Sequence, residues 1–237
     1  MNTIAIDTSN QVLGIAITKE NRLVAELTTN INKDHSSRLM PAIVDMLDKV
    51  DMKPEHLHKI VVAHGPGSYT GTRIGVTTAK TMAWSLQIPI YTISSLKTLA
   101  YNGVHFNGYI CPFFDARRQT VFTSLYYSNG EALTEVEAEC NVPMENHLAK
   151  LAKLNEKILF LSPHLEVFQE MIISNCTTNA IIPNPSFHIP KPSNLISLSE
   201  NLDHSNIHTV QPNYLRITEA EANWLKQQKD GNVDGRV

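Results

Sequence analysis

The segment Gly65-Pro-Gly-Ser-Tyr-Thr-Gly-Thr-Arg-Ile-Gly75 gathers glycines and hydroxyl side chains between an apolar run and a helix-period segment. Glycines at such a junction let backbone N–H groups approach an anion at a helix N-terminus. Gly65, Gly67, Ser68, Thr70 and Gly71 could therefore cradle a phosphate. The spacing is not that of a Walker A loop, because no Gly-Lys-Ser/Thr follows, and Thr70 stands where the third glycine of G-x-G-x-x-G belongs. A tight strand-to-helix turn explains the same residues, and the partial motif favours that simpler reading. Asp7 and Asp115 each end the first strand of a block of similar design. Paired carboxylates at facing strand ends suit Mg²⁺ and phosphates in a two-lobed ATPase, although each could equally cap its own turn. Arg117 and Arg118 would suit phosphate or neutralise Asp115.

Other chemistry finds less support. His204 and His208 lie four apart, but no Glu follows the first, so they read as surface residues of a polar segment rather than a metal pair. Ser68 lacks both G-x-S-x-G and an evident histidine partner, and His35 reads as polar surface or interface rather than a base. Cys111, Cys140 and Cys176 are odd in number, widely spaced and not in a CxxC pair. They read as free thiols of a reducing compartment, not a disulfide frame or zinc site.

The chain has 237 residues, room for one large domain or two small ones. It is 42% hydrophobic and 18% charged, which excludes wholesale disorder. The net charge of −3, from 20 basic and 23 acidic residues, lacks the basic footprint of unaided tight binding to a nucleic-acid backbone. No apolar run reaches the ~18 residues of a bilayer span. Asp7 interrupts the first apolar stretch and no basic residues precede it, so no secretory signal is expected and a cytoplasmic location is.

Three strand patterns, Thr3–Ile6, Val12–Ile17 and Leu23–Leu27, are separated by turn residues and predict a meander. Leu39, Ile43, Met46, Leu47 and Val50 then fall at helical spacing behind candidate caps Asp34, Ser36 and Ser37. A buried-type strand, Lys59–Ala63, leads into the glycine segment, a helix over Thr72–Leu86 and a strand over Ile88–Ile93. On that helix Gly71, Gly75, Ala79 and Ala83 recur every four residues; such a smooth face serves internal packing or a dimer contact equally well. The order repeats from Tyr109, with strands at Tyr109–Phe114, Thr120–Tyr127 and Leu133–Ala138, a helix at Met144–Leu154, a strand at Lys157–Leu161, a helix at Leu165–Ile173 and a strand at Ala180–Ile182. A duplicated β-β-β-α-β-α order is an α/β layer fold of two lobes. The expected boundaries are 1–100, 101–218 and a C-terminal helix with frayed tail at 219–237. Asn194–His208 reads as a polar helix, and Pro183–Pro192, with four prolines, as an extended connector. No glycine occurs from Glu131 to Asp230, so the second half lacks the turns a nucleotide cleft needs, which points to a fold kept without its catalysis.

Ile4-Ala-Ile-Asp-Thr-Ser9, His35-Ser36 with Arg38-Leu39 and Pro41, the Gly65–Gly75 block, Asp115-Ala-Arg117 and Pro212-Asn-Tyr-Leu-Arg216 together resemble the bacterial TsaB (YeaZ) family. The likeness covers nearly the whole chain and is looser in the second half. It implies an actin-like, heat-shock-chaperone-like ATPase (ribonuclease H-like) fold in two lobes. It also implies a dimerisation subunit of the complex that moves a threonylcarbamoyl group onto N6 of the adenosine next to the anticodon (position 37), in tRNAs reading codons that begin with A. The family's catalytic paralogue, TsaD, holds a metal through His-x-x-x-His; Ser95 and Leu99 stand at those places here, so no metal is expected. The resemblance places the partner interface on the first two helices, at His35, Arg38, Leu39, Ala42, Ile43, Met46, Arg73, Gly75, Val76, Ala79, Lys80 and Ala83. It implies pairing with TsaD, self-pairing when TsaD is absent, and docking of a small P-loop ATPase, TsaE. ATP or ADP and Mg²⁺ then act through the partners, tRNA contact is indirect, and no membrane is involved. The expected function is a non-catalytic scaffold. Its rivals are an independent ATPase or kinase using Asp7, Asp115 and the glycine segment, and a metallopeptidase.

Overall fold

A computed structural model describes residues 1–31 and 34–216. The first lobe runs β1 (Thr3–Asp7), β2 (Val12–Lys19), β3 (Arg22–Asn30), α1 (His35–Lys49), β4 (Lys59–Ala63), α2 (Tyr69–Leu86) and β5 (Ile90–Ile93), followed by α3 (Ser95–Ala100). The second runs β6 (Asn107–Asp115), β7 (Thr120–Asn129), β8 (Leu133–Pro143), α4 (Met144–Leu151), β9 (Ile158–Leu161), α5 (Leu165–Asn175) and β10 (Ala180–Ile181), and α6 (Pro192–Leu198) comes last. Each lobe holds a five-stranded sheet, ordered β3-β2-β1-β4-β5 and β8-β7-β6-β9-β10. In both, the meander pairs antiparallel and the later strands add in parallel. The duplicated order read from the sequence is therefore the architecture.

Why these segments take these forms is visible in their burial. β1 and β4 lie centrally and every residue in them is buried, as their unbroken apolar runs require. The edge strand β3 alternates instead. α1 starts at Asp34, whose Oδ1 accepts the Ser36 N–H at 2.9 Å, and lays Leu39, Ile43, Met46 and Leu47 on the sheet. α2 starts at Ser68 and ends at Gln87 in the left-handed conformation. α1 and α2 cover one face of the first sheet around Ile4, Ile6, Ile15 and Val62. α4 and α5 cover the matching face of the second around Phe113, Leu148 and Phe160.

The inner faces are closed by α3 and α6. Leu96 and Leu99 of α3 pack with Ile110, Phe114 and Tyr126 of the second sheet. Leu195 of α6 packs with Ala5, Ala16, Val61 and Ile93 of the first. Asn194 joins the two helices, its amide donating to the Thr98 carbonyl at 3.2 Å.

Three expectations change. The polar helix over Asn194–His208 is replaced by the shorter α6, which starts at Pro192, buries Pro192 and Leu195 and stops at Leu198, where the apolar period ends. Residues 199–213 are irregular, and the Ser205 N–H donates to the Ile90 carbonyl at 2.8 Å on the β5 edge. Although they fall within 101–218, α6 and this segment lie on the first lobe, because its inner face would otherwise stay uncovered. Third, Pro183–Pro192 is not wholly extended, since Pro185–His188 form a 3₁₀ turn. The C-terminal helix expected at 219–237 lies outside the described residues.

All three cysteines are free. Burial pushes the Cys111 thiol up to about 12, so it is inert packing beside His147. Among the described residues no helix is long and apolar enough to cross a membrane. Leu195→Ala should cost about 2–5 kcal/mol in urea unfolding, because it empties a fully buried contact between α6 and the first sheet.

Candidate functional site: the cleft between the lobes

The turn after β1 sets the geometry. The Ser9 N–H and hydroxyl both donate to Asp7 Oδ1, at 2.9 and 2.7 Å. The Thr8 hydroxyl donates to the Gly71 carbonyl at 2.7 Å, and the Ser68 N–H donates to the Ser9 carbonyl at 2.6 Å. The turn thus lies directly against the start of α2. A Cβ on Gly67 would fall under 3.0 Å from the Ser9 carbonyl, on Gly71 from the Thr8 carbonyl, and on Gly75 from Thr8 Oγ1. Gly65, at φ +106° before a cis Pro66, is closed by the Asn213 carbonyl, 2.7 Å from where a Cβ would stand.

These contacts fill part of the expected phosphate cradle from within the chain. The Gly65 N–H donates to Ser95 Oγ, the Ser68 N–H to Ser9, and the Gly71 and Thr72 N–H groups to Ser68. The glycines admit the chain's own β1 turn and Ser68 caps α2, while Gly67, Ser68, Tyr69, Thr70 and Gly71 still line the cleft. Asp115 is half-buried in the cleft wall, where its Oδ1 accepts the Arg117 N–H at 2.8 Å. Asp7 is 2% exposed, with Oδ2 unpartnered. Burial raises its pKa against the opposing bonds from Ser9 and the charge of His35.

The cleft itself holds about 690 Å³. One wall carries His35, Ser68, Tyr69 and Thr70; the other carries Phe114, Asp115, Arg117, Phe122 and His164, with Arg216 at the rim. His35 Nε2–H donates to the Asn10 carbonyl at 2.8 Å, leaving Nδ1 without a protein partner. Tyr69 and Tyr214 stack at 4.9 Å between centroids, and the Arg73 guanidinium lies 5.2 Å over the Tyr69 ring while donating to its hydroxyl. His164 accepts the Asp115 N–H at 3.4 Å, and burial lowers its pKa against the pull of that carboxylate.

A strap over residues 205–216 ties this region together. The Asn213 N–H donates to the His64 carbonyl at 2.7 Å and its amide to Glu139 Oε2 at 2.9 Å. Glu139 also accepts the Ser94 hydroxyl, and burial raises its pKa. Lys80 donates to the His208 and Val210 carbonyls, and Arg216 to the Ala116 carbonyl at 2.9 Å. Sequence reasoning gave Glu139 no role, since one acidic residue in an edge strand carries no signal. Tyr214 and Arg216 stood out only as part of a motif.

The interface list is corrected in the same way. Leu39, Ile43, Met46, Val76, Ala79 and Ala83 are 5% exposed or less, and Gly75 is buried, so the small-residue face of α2 is spent on Thr8 and the sheet. His35, Arg38, Ala42 and Lys80 are half-buried and Arg73 is exposed. What α1 and α2 turn outward is a different stripe, Met40, Val44, Thr77, Thr81 and Trp84, with Val44 at 61% and Trp84 at 63% exposure. Ser95 and Leu99 are fully buried, and His204 and His208 are surface residues of irregular chain. Among the described residues no group of three His, Cys, Asp or Glu side chains is placed to hold a metal.

Two β-β-β-α-β-α lobes about a cleft define the actin-like class, here with the β1 turn packed against the start of α2. A family model described as "TsaD: tRNA N6-adenosine threonylcarbamoyltransferase" matches residues 22–224. The Bacillus subtilis (strain 168) "tRNA threonylcarbamoyladenosine biosynthesis protein TsaB" is 48% identical over 97% of this chain and 100% of its own. The Escherichia coli (strain K12) protein of the same description is 27% identical over 53% of this chain and 55% of its own. YeaZ from Pseudomonas aeruginosa shares the fold with a TM-score of 0.75 at 22% identity, covering 90% of this chain and 99% of that one. The chain belongs to the TsaB family of tRNA threonylcarbamoyladenosine biosynthesis proteins, within the broader group that the TsaD model describes.

Two outcomes follow from the packed loop. Gly75→Ala should destabilise by about 1–3 kcal/mol. Thr8→Ala should relieve much of that cost, because it removes the Oγ1 in the way, and a double-mutant cycle in urea would show the coupling. A carboxyl whose pKa is raised by folding contributes stability below its unfolded value that is lost as pH rises through the folded one. Asp7→Asn should therefore melt higher than the parent at pH 7, with the gap closing as pH falls toward 3.8, the ordinary aspartate value.

Proposed function

We propose that this chain is a non-catalytic scaffold in tRNA threonylcarbamoyladenosine biosynthesis, holding the catalytic paralogue TsaD in a competent geometry. The observation that carries the proposal is the packing of the β1 turn: Thr8 and Ser9 fill the space directly against Gly67, Gly71 and Gly75. With Asp7 buried and no metal cluster among the described residues, the acyl transfer falls to the partner. ATP or ADP and Mg²⁺ act at the partners, including the P-loop ATPase TsaE, in the cytoplasm.

The docking face is the outward stripe of α1 and α2. Met40 and Val44 offer apolar contact, Thr77 and Thr81 keep the surface low enough for another helix to approach, and Trp84 supplies an anchor at the end of α2. The same stripe serves a homodimer when TsaD is absent, since one patch can pair with itself about a two-fold axis.

The test is reconstitution with TsaD, TsaE, the adenylate-forming enzyme, tRNA, threonine, bicarbonate and ATP. Omitting this chain should abolish modified adenosine. Val44→Asp or Thr77→Arg should cut pairing and modification tenfold or more while moving stability by only about 0.5 kcal/mol, because both sites are exposed. Modification that persists without the chain would sink the scaffold reading; normal pairing by both variants would move the interface elsewhere.

A further inference from the structure

Net charge averages over a local concentration. Of the chain's seven arginines, Arg117 and Arg216 line the cleft together with the carboxylates Asp34 and Asp115, Arg118 follows Arg117, and Arg73 lies over Tyr69 of its wall. Arg117, Arg118 and Gln119 are held in succession at φ 66°, 53° and 58°, a left-handed run that non-glycine residues seldom adopt. Arg117, in the turn after β6, lines the cleft together with Tyr69, whose ring stacks on Tyr214; the two tyrosines are 46% and 44% exposed.

We propose that the cleft binds a single-stranded segment of RNA, with Arg117 and Arg216 meeting phosphates and the Tyr69–Tyr214 pair offering a ledge on which a base stacks. The proposal rests on the family's role in tRNA modification and extends it by giving this subunit a direct contact with the nucleic acid.

The chemistry favours an RNA strand over a free nucleoside triphosphate. A triphosphate with Mg²⁺ needs a backbone cradle and a carboxylate open to the metal; here the Gly65, Ser68, Gly71 and Thr72 N–H groups are engaged within the chain and Asp7 is buried. A phosphodiester carries a single charge and needs only guanidinium groups, while a base needs only an aromatic face. Both are present, the guanidinium groups at Arg117 and Arg216 and the aromatic face at the Tyr69–Tyr214 pair.

The experiment titrates fluorescent unmodified tRNA with the full-length chain alone and with the reconstituted complex, over a range of salt, with a short oligoribonucleotide and Mg²⁺-ATP as competitors. Arg117→Glu should weaken binding about tenfold and lower the salt slope by about one, the loss of one phosphate contact, while Arg117→Lys retains most of both. The oligoribonucleotide should compete and Mg²⁺-ATP should not. Unchanged affinity and slope in Arg117→Glu, or displacement of RNA by Mg²⁺-ATP, would overturn the proposal. Arg117-dependent binding by the chain alone, with no assembly on TsaD, would sustain it and defeat only the scaffold reading.

Discussion

The contact between the Thr8–Ser9 turn and the start of α2 is the constraint on which the rest depends. Two hydrogen bonds hold it, Thr8 Oγ1–H to Gly71 and Ser68 N–H to Ser9, and three glycines make it close enough to form. Any side chain at those glycines would push α2 off β1. Because α2 is fixed there, its small-residue face points inward and its hydroxyl-rich face outward. The same contact leaves Met40, Val44, Thr77, Thr81 and Trp84 exposed on the outer face of α1 and α2.

The strap works on the other side of the same loop. Asn213 holds His64 and Glu139, Lys80 holds the strap to α2, and Arg216 reaches Ala116 at the start of the second lobe's first turn. Glu139, Ser94 and Asn213 join β8, α3 and the strap through one half-buried carboxylate. Breaking one partner of such a group leaves the others unsatisfied, so the lobes and the strap are coupled in stability. The cleft keeps its shape through this coupling, which is what a surface that presents arginines and aromatic rings requires.

The order of elements was legible because period changes mark it: alternation and apolar runs for β1–β5, helical spacing for α1 and α2, then the same succession again. The cap at Asp34 and the membership of the family were legible from local chemistry and from motif order. What could not be read was direction. Gly71, Gly75, Ala79 and Ala83 make the same pattern whether they face a partner or the chain's own turn; only the position of Thr8, more than sixty residues earlier, decides it. Asp7 likewise reads as a ligand or a buried cap until its exposure is known. The polar helix over Asn194–His208 failed because residues 199–213 are held by backbone bonds to β5 and to the glycine loop, which leave no periodic trace.

The most direct measurement is calorimetric titration of Mg²⁺-ATP into the isolated full-length chain, with the same titration into Asp7→Asn. A loop filled by its own turn predicts no saturable heat from either protein. Saturable binding to the parent that is lost in Asp7→Asn would mean that the turn opens to admit phosphate, and would contradict the account.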